Sequence, residues 1–432
     1  MSESRATPHQ PVSRGSAVIA AFSTIVEWYD FTLYLYFATV LSRVFFGGGA
    51  ESLIVTLAGF AVAYLLRPLG ALYFGHIGDR FGRRRALLLS VALMSAAMLA
   101  IALLPTREQV GPIAGVLLLA LRCIMGFAVG GEYTGVVAYL MEGARSDRRG
   151  LVTSFAAAAS EVGGLLAVGL SAVTVSLMSA ADLDAWGWRI PFFVGAALAT
   201  AVWIARASME ESPEFERQRA TETVPRHPLR HALTHHRVGI ARGFAISALG
   251  SITYYVGITY VPAFLTTVGK MEEGAALWLS TIAAVAVILV TPLTGMAADR
   301  WGRKPVLLAL AAASAILPIS MFEWMASGST ATALAGAIVL ACVAGGVSAV
   351  GAVATAEQLG GVGRLTGLAL GATTATAIFG GLTPWGAQAM IGSTGLAVVP
   401  GIMIAIVALA VVPVLWRMPE TRPAPSTGSG QA

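Results

Sequence analysis

Four acidic residues stand inside long apolar stretches of this sequence, where a charged side chain needs a special environment. Glu27 and Asp30 lie in the first stretch, Glu132 in the fourth and Glu161 in the fifth. An ionised carboxylate at the centre of a bilayer is costly, so such groups face a bundle interior or a water-filled cavity. Close carboxylates cannot all stay ionised, because burial and like charges both favour the protonated form. The pattern predicts that these four residues hold and exchange protons.

One arginine, Arg122, lies in the fourth stretch about ten residues from Glu132. At roughly 1.5 Å per helical residue, Glu27, Glu132 and Glu161 lie at one level, about 15 Å from one end of their stretches. Arg122 could tune these acids or receive a carboxylate from a bound molecule. The alternative is that the acids are structural and are paired with Arg122 or with tyrosine hydroxyls.

The elements that position these residues are predicted to be membrane-spanning helices. Hydrophobic residues make up 56% of the 432 and charged residues 12%, against about a quarter charged in a typical soluble domain. Apolar stretches of about 18 or more residues are long enough to cross a bilayer. We predict an all-α polytopic membrane protein with twelve transmembrane helices in two pseudo-symmetric six-helix bundles. The predicted spans are 16–40, 52–74, 86–104, 112–141, 150–178, 188–207, 238–266, 274–296, 305–325, 332–356, 365–391 and 394–416.

The distribution of positive charge predicts the orientation. Most of the 28 Lys and Arg residues fall in the two termini and in alternate loops, which places both termini on the cytoplasmic side. The same distribution explains the net charge of +5 as membrane topology rather than a nucleic-acid surface. The two cysteines, Cys123 and Cys342, lie in apolar stretches without metal-ligand spacing. No metal or other cofactor is predicted.

The longest predicted loop divides the spans six and six. The predicted units are a disordered N-terminus at 1–15, a bundle at 16–207, a cytoplasmic linker at 208–237, a second bundle at 238–416 and a flexible tail at 417–432. The linker carries His227, His231 and His235 at helical spacing. This stripe fits a metal or pH sensor or an ordinary polar helix, and no cysteine or nearby carboxylate completes a metal site.

A short basic motif occurs twice and supports the division into two related halves. Residues 75–85 read GHIGDRFGRRR, and the pattern returns at 295–304 as GMAADRWGRK. We predict a loop at each copy. Each half also ends a span with an acid, and we expect these groups to form ion-paired clusters that latch an outward-open state. The predicted gating residues are Asp79, Arg80, Arg83, Glu142, Asp299, Arg300, Arg303 and Glu357.

The repeated motif and the six-plus-six plan resemble the major facilitator superfamily. Further segments resemble its metabolite:proton symporter family, whose substrates include citrate and tricarballylate, α-ketoglutarate, shikimate, proline and betaines. Residues 376–384 are most similar to the citrate and tricarballylate members, and residues 253–255 to the proline and betaine members. Arg122 matches the superfamily's fourth-helix arginine. The segments are Glu27-Trp-Tyr-Asp-Phe31, Arg67-Pro68, Gly130-Gly-Glu-Tyr133, Trp186-Gly-Trp-Arg-Ile-Pro-Phe192 and Glu211-Ser-Pro.

The resemblance implies a secondary transporter that works by alternating access around a site at the membrane midplane. We expect proton-coupled uptake of a small organic acid, such as a citrate-like di- or tricarboxylate, with the proton gradient in place of a cofactor. Proton coupling is assigned to Glu27, Asp30, Glu132 and Glu161. Substrate binding is assigned to Arg122, Tyr29, Tyr133, Tyr254, Tyr255 and Thr383.

Two other transport functions and two other classes remain open. The first two are uptake of a zwitterionic osmolyte such as proline or a betaine, and proton-coupled efflux. A membrane enzyme is disfavoured because all six histidines lie in tails or loops, and a sensor because the termini are short. The expected partners are the solute, protons and the lipid of a bacterial-type inner membrane. We expect no nucleic acid and a monomeric chain.

Overall fold

The computed structural model describes residues 14–81, 83–130, 146–207, 233–327, 329–359 and 364–422. All regular structure within these ranges is helical, and helices occur at each of the twelve predicted spans. Helices are expected for such apolar runs, because they satisfy every backbone polar group internally in lipid. Glu132, Tyr133, Glu142 and most of the predicted linker lie outside the described residues.

The N-terminal half contains the first six spans. The helices are Arg14–Tyr36 and Ala38–Phe46 in the first span, Ala50–Leu65 and Arg67–Phe81 in the second, Arg83–Ala102 in the third, Ile113–Ala128 in the fourth, Arg149–Leu177 in the fifth and Arg189–Ala207 in the sixth. The sixth span begins with turns at Ala180–Asp182 and Leu183–Gly187, so the predicted start at 188 was too late. Asp182 and Asp184 make this stretch read as a loop, yet acids are favourable in the first turns of a helix.

The C-terminal half contains the other six spans. The helices are Arg237–Tyr254, Tyr255–Thr259 and Val261–Thr267 in the seventh span, Glu273–Trp301 in the eighth, Arg303–Ala326 in the ninth, Thr330–Glu357 in the tenth, Arg364–Leu368 to Leu382–Thr394 in the eleventh and Val399–Arg417 in the twelfth. Gly395 has a φ of +71° and ends the eleventh span, because glycine adopts this left-handed conformation without strain. The twelfth span therefore starts later than the predicted 394.

Several helices are long and apolar enough to cross a membrane on their own. Among the described residues these are Ala50–Phe74, Arg149–Leu177, Ala180–Arg206, Glu273–Trp301, Arg303–Ala326, Thr330–Glu357 and Val399–Arg417. The seventh span adds an eighth if its two parts, which are bent by 44°, count as one. Shorter apolar helices, Leu88–Ala102 and Ile113–Ala128, lie in the third and fourth spans.

Both copies of the basic motif lie at tight helix junctions, so the predicted loops were wrong. The second span remains helical to Phe81 and the third begins at Arg83. In the second copy, Trp301 ends one helix, Arg303 begins the next, and Gly302 turns the chain with a φ of +104°. The positive φ suits glycine, which explains why one residue suffices. We call the end of the molecule that carries both motifs the inner end, and the opposite end the outer end.

The two halves meet along several helices. The fifth span packs along the eighth and also against the tenth, and the outer part of the second packs against the eleventh. Within the N-terminal half the first span packs on the fifth and the third on the sixth. Within the C-terminal half the tenth span packs on the seventh, eighth and ninth. This arrangement places the first, second, seventh and eleventh spans around a common centre.

Candidate functional site

Glu27 of the first span is buried beside Arg67 of the second. The Nη2 atom of Arg67 lies 3.0 Å from Oε1 of Glu27, and the two residues are 5% and 2% exposed. Arg67 also donates to the Tyr64 hydroxyl at 3.0 Å and to the carbonyl of Val129 at 3.4 Å. Its guanidinium carbon lies 4.5 Å from the centre of the Phe31 ring. Each charge is thus desolvated and depends on its partner.

A helix break and a close helix crossing place Arg67 at this point. Pro68 has no N–H to donate one turn back, so the second span is interrupted at Leu66. Gly126 and Gly130 of the fourth span then let that helix touch the second span. A Cβ at Gly130 would lie 2.4 Å from the carbonyl oxygen of Arg67. This GxxxG spacing therefore serves close helix packing.

Asp30 and Arg122 form a second buried pair. The Nη1 atom of Arg122 lies 3.7 Å from Oδ1 of Asp30, and the residues are 1% and 0% exposed. That distance is too long for a hydrogen bond. Neither oxygen of Asp30 has a hydrogen-bond partner among the described residues, and a buried carboxylate without one is poorly stabilised as an anion. The guanidinium of Arg122 lies over the Tyr34 ring, 4.5 Å from its centre.

Glu161 of the fifth span lies where the two halves meet. It is 2% exposed and interacts with Tyr36 of the first span and Tyr254 of the seventh. Glu161 Oε1 and the Tyr254 hydroxyl have no hydrogen-bond partner among the described residues, so the alternative that the acids pair with tyrosine hydroxyls stays a prediction. Glu132 lies outside the described residues, so the predicted group of four is represented by three.

A cluster of aromatic residues joins the two halves at the level of these acids. The hydroxyl of Tyr64 contacts the hydroxyl of Tyr255. Trp28 packs against Tyr254 and Tyr255 with ring centres 5.1 and 6.3 Å apart. Glu27, Arg67, Tyr64 and Tyr255 thus form a continuous polar chain from the first span to the seventh.

Glycines allow the eleventh span to approach this cluster. A Cβ at Gly380 would lie 2.7 Å from the Tyr255 ring, and one at Gly381 would lie 2.6 Å from Tyr64. Two glycines followed by Pro384 favour a helix break at 380–384. The helix is irregular here, with a π-helical turn at Ala377–Gly381, but both glycines are buried against the tyrosines.

A cavity of about 130 Å³ lies directly inward of the aromatic cluster. Its outer wall contains Trp28, Arg67, Tyr254 and Tyr255, and it extends to Ala356, one residue before the end of the tenth span. Arg67 is the charged residue among those that line it. The remaining polar lining consists of hydroxyls, from Ser247, Ser251, Ser348, Thr355, Thr373 and Thr376.

The predicted binding residues fall into two groups. Tyr254 and Tyr255 line the cavity, whereas Arg122, Tyr29 and Thr383 are not among its lining residues. The Tyr29 hydroxyl donates to the carbonyl of Pro191 at 2.7 Å, and the Thr383 hydroxyl to that of Phe379 at 2.6 Å. Tyr133 lies outside the described residues. The sequence reasoning missed Arg67, Tyr64 and Trp28 as site residues, although Arg67 is one of only five cations inside the predicted spans.

The inner end of the C-terminal half carries an ion-paired cluster. Arg303 is fully buried and contacts Asp299 at 3.1 Å and Glu357 at 3.1 Å. Asp299 also accepts the backbone N–H groups of Gly150 and Leu151, both at 2.8 Å, at the start of the fifth span. This carboxylate therefore caps a helix of the other half. Arg300 is exposed; the side chains of Asp79, Arg80 and Arg83 lie outside the described set.

A second ionic contact joins the halves at the outer end. Arg43 of the first span lies 3.1 Å from Asp184 of the sixth and 3.0 Å from Glu273, in the first turn of the eighth. The Thr39 hydroxyl also contacts the Glu273 carboxylate. The sequence analysis placed gating only at the inner end. The signal for this contact was the scarcity of cations in the predicted outer segments.

Comparison with known proteins identifies the family. Residues 16–230 match the family model described as sugar (and other) transporter. The chain is 32% identical over 384 residues to the alpha-ketoglutarate permease of Escherichia coli, covering 88% of each protein. It is 31% identical over 436 residues to the ectoine/proline transporter of Corynebacterium glutamicum, covering 97% of this chain and 86% of the relative. This chain belongs to the major facilitator superfamily.

Other relatives place this superfamily member among the metabolite:proton symporters. The citrate-proton symporter of Salmonella typhi is 30% identical, with 90% of this chain and 89% of the relative covered. The xylose transporter of E. coli, in a partially occluded inward-open conformation, shares the fold with a TM-score of 0.76. That likeness covers 95% of this chain and 99% of the other at 20% identity. The protein is a multi-pass membrane transporter and not an enzyme.

Proposed function

We propose that this protein is a proton-coupled symporter that takes up a small solute bearing a carboxylate. The observation that carries the proposal is the position of Arg67. It forms a buried ion pair with Glu27 and at the same time lines the cavity. A proton that neutralises Glu27 and a solute that binds in the cavity therefore act on one guanidinium.

Asp30 is the second proton carrier in this proposal. Its carboxylate is fully buried and lies near Arg122 without a hydrogen bond to any described residue. Protonation would remove a charge that is poorly solvated. Glu161, between Tyr36 and Tyr254, is the third candidate, and Glu132 remains a candidate from the sequence. The proposed roles of Arg122, Tyr29 and Thr383 in substrate binding remain predictions.

The charge of the cavity favours a solute with one carboxylate over a tricarboxylate. Arg67 is the one cation among the described lining residues, and Glu27 already balances it. Trp28, Tyr254 and Tyr255 present aromatic rings, which attract cationic groups. A zwitterionic solute such as proline or a betaine fits this combination, and the relatives include transporters named for both. A citrate-like acid is the second candidate, supported by the relative named a citrate-proton symporter.

We place the protein in the inner membrane of a bacterial-type cell, with both termini in the cytoplasm and one chain as the working unit. Charge distribution supports the orientation. Uptake is proposed over efflux because relatives are named permease and symporter.

The test is transport in proteoliposomes that contain the purified protein. Counterflow with labelled proline, glycine betaine, alpha-ketoglutarate and citrate identifies the solute, with xylose as an uncharged comparison. An imposed inward proton gradient should then drive that solute to accumulate. Uptake that ignores the gradient would exclude proton coupling, and expulsion of preloaded solute by the gradient would indicate efflux.

A further inference from the structure

We propose that Arg67 is the residue that binds the solute carboxylate, and that the solute and Glu27 compete for it. This inference rests on the proposed function and adds the receptor and the point of coupling. Arg67 becomes available to the solute when Glu27 is protonated. It returns to Glu27 when the proton leaves.

Arg67 has an N–H donor that can bind a ligand. A guanidinium carries five N–H donors in a planar fork. The described acceptors are Glu27 Oε1, Tyr64 Oη and the carbonyl of Val129, which engage the Nη atoms. The Nε atom is buried and has no hydrogen-bond partner among the described residues. Arg67 is 5% exposed, lines the cavity and has a donor that no described residue uses. It is therefore suited to bind an anionic ligand.

Arg122 is less suited to this role. It does not belong to the lining of the cavity, and its guanidinium lies over the Tyr34 ring. Its carboxylate neighbour, Asp30, does not line the cavity either, and the first span contributes Trp28 to the wall. Of the two arginines, Arg67 is therefore better placed than Arg122 to bind a solute in the cavity.

The surroundings of Arg67 define what a change of pH can alter. The titratable groups that interact with it are Glu27 from the first span, Tyr64 from its own span and Tyr255 from the seventh. The fourth span contributes the Val129 carbonyl, and its Glu132 lies outside the described residues. Tyrosines stay neutral in the ordinary range of pH. Glu27 is therefore the described group whose charge can compete with a solute.

Competition also has a structural consequence. Tyr64 accepts a hydrogen bond from Arg67 and contacts the Tyr255 hydroxyl of the other half. Movement of the guanidinium from Glu27 towards the cavity would therefore disturb a contact between the two halves. This provides a direct route from binding to the change of conformation.

The experiment measures binding of two matched probes to the purified full-length protein at pH 5.5 to 8.5. If proline is the exchanged solute, the probes are proline and prolinamide; for any other solute, they are the acid and its amide. Wild-type protein should prefer the carboxylate, and its affinity should rise as the pH falls. Arg67→Gln should bind both probes alike, with a loss of about 10- to 100-fold for the carboxylate, as expected for a charge-assisted hydrogen bond.

Glu27→Gln is the decisive variant because it keeps the receptor and removes the competitor. It should bind the carboxylate at least as tightly as wild type at pH 5.5, without pH dependence, and exchange solute without accumulating it. Arg206→Gln removes a different buried arginine of the same half, which binds Ser23, and should retain wild-type discrimination. Persistence of the carboxylate preference in Arg67→Gln, or of pH-dependent binding in Glu27→Gln, would overturn the proposal. Absence of counterflow by wild type would instead refute the proposed function.

Discussion

The two halves of this transporter differ in where their buried charged residues lie. The N-terminal half buries Glu27, Asp30, Glu161, Arg67 and Arg122 at the level of the cavity or close to it. In the described C-terminal half the fully buried charge, Arg303, lies at the inner end, and the cavity wall consists of hydroxyl-bearing, small, aliphatic and aromatic residues. Irregular turns are concentrated there too, at Tyr255–Thr259, Ala369–Thr373 and Ala377–Gly381.

This difference suggests that the two related halves have different roles in transport. Buried ion pairs are costly to break, because either partner left alone is a desolvated charge. Buried ion pairs are therefore suited to the half that binds and releases protons. π-Helical turns shift the helix register by one residue and often occur at functional sites. They suit a half that shapes the cavity and bends.

The largest effect is expected from Asp30→Asn, which tests the role of the buried charges in the N-terminal half. Arg122 would lose its buried countercharge, at a cost of about 3 kcal/mol. Gradient-driven accumulation should disappear and the protein should unfold at a lower temperature, while solute exchange persists. Uptake assays and thermal unfolding in detergent measure both effects. Glu323→Gln, an exposed acid of the C-terminal half, is the control; wild-type accumulation in Asp30→Asn would remove Asp30 from the mechanism.

The next effect concerns the inner contact between the halves. Asp299→Ala removes the cap from Gly150 and Leu151, and loss of a helix cap costs about 1 kcal/mol. The populations of the inner-closed and inner-open states should shift about fivefold towards open. Spin labels at exposed Phe155 and Met296, in a background without Cys123 and Cys342, can measure the change in distance. An unchanged distribution would show that Asp299 does not act as a latch.

A smaller effect is expected from Arg43→Gln at the outer end. Arg43 is partly exposed, so each of its ion pairs contributes about 0.2–1 kcal/mol. The outer end should open two- to fivefold more often, and added salt should open the wild type but not the variant. Labelling of Ser176→Cys, which lies at the contact with Trp278, reports this opening. Equal salt dependence in both proteins would contradict the outer latch.

The smallest effect is expected at the C-terminal tail. Burial opposes ionisation of Glu420, but hydrogen bonds from the backbone N–H groups of Arg422, Arg303 and Lys304 outweigh it and hold its pKa below the usual value. A lowered pKa means that this contact stabilises the folded tail above the pKa of the unfolded state. The contribution is lost as the pH falls through the folded value.

Hydrogen exchange at Arg303 and Lys304 can test this contact. Protection of the two amides, corrected for intrinsic rates, should fall in wild type as the solution becomes acidic. In Glu420→Gln it should be weaker at neutral pH and nearly independent of pH. A wild-type pH profile in the variant would assign the protection to another group.

The sequence predicts the helical spans well because hydropathy and the positions of Lys and Arg are local properties. The buried acids are found for the same reason, since Glu27 and Asp30 interrupt an apolar run. The residues that pair with these acids are harder to predict from the sequence. Glu27 pairs with Arg67, 40 positions away, only because Pro68 breaks the second span and Gly130 brings the fourth span close. The sequence analysis instead chose Arg122, whose position relative to the cavity depends on packing that no local pattern encodes.

The helix junctions show a similar limit. The basic motifs read as loops because charge and glycine are typical of loops, yet Gly302 alone turns the chain. The outer contact of Arg43 was missed because its two partners, Asp184 and Glu273, come from distant parts of the sequence. These errors concern how separate helices meet, whereas errors in where a helix lies are limited to span ends such as the starts of the sixth and twelfth spans.

The most direct test of the account is whether solute carries protons through Glu27. A pH-sensitive dye inside proteoliposomes would report acidification when the exchanged solute is added outside without an imposed gradient. Wild-type protein should acidify the interior as the solute enters, whereas Glu27→Gln should give no signal despite intact counterflow. Solute entry into wild-type vesicles without acidification, or a wild-type signal from Glu27→Gln, would contradict the account.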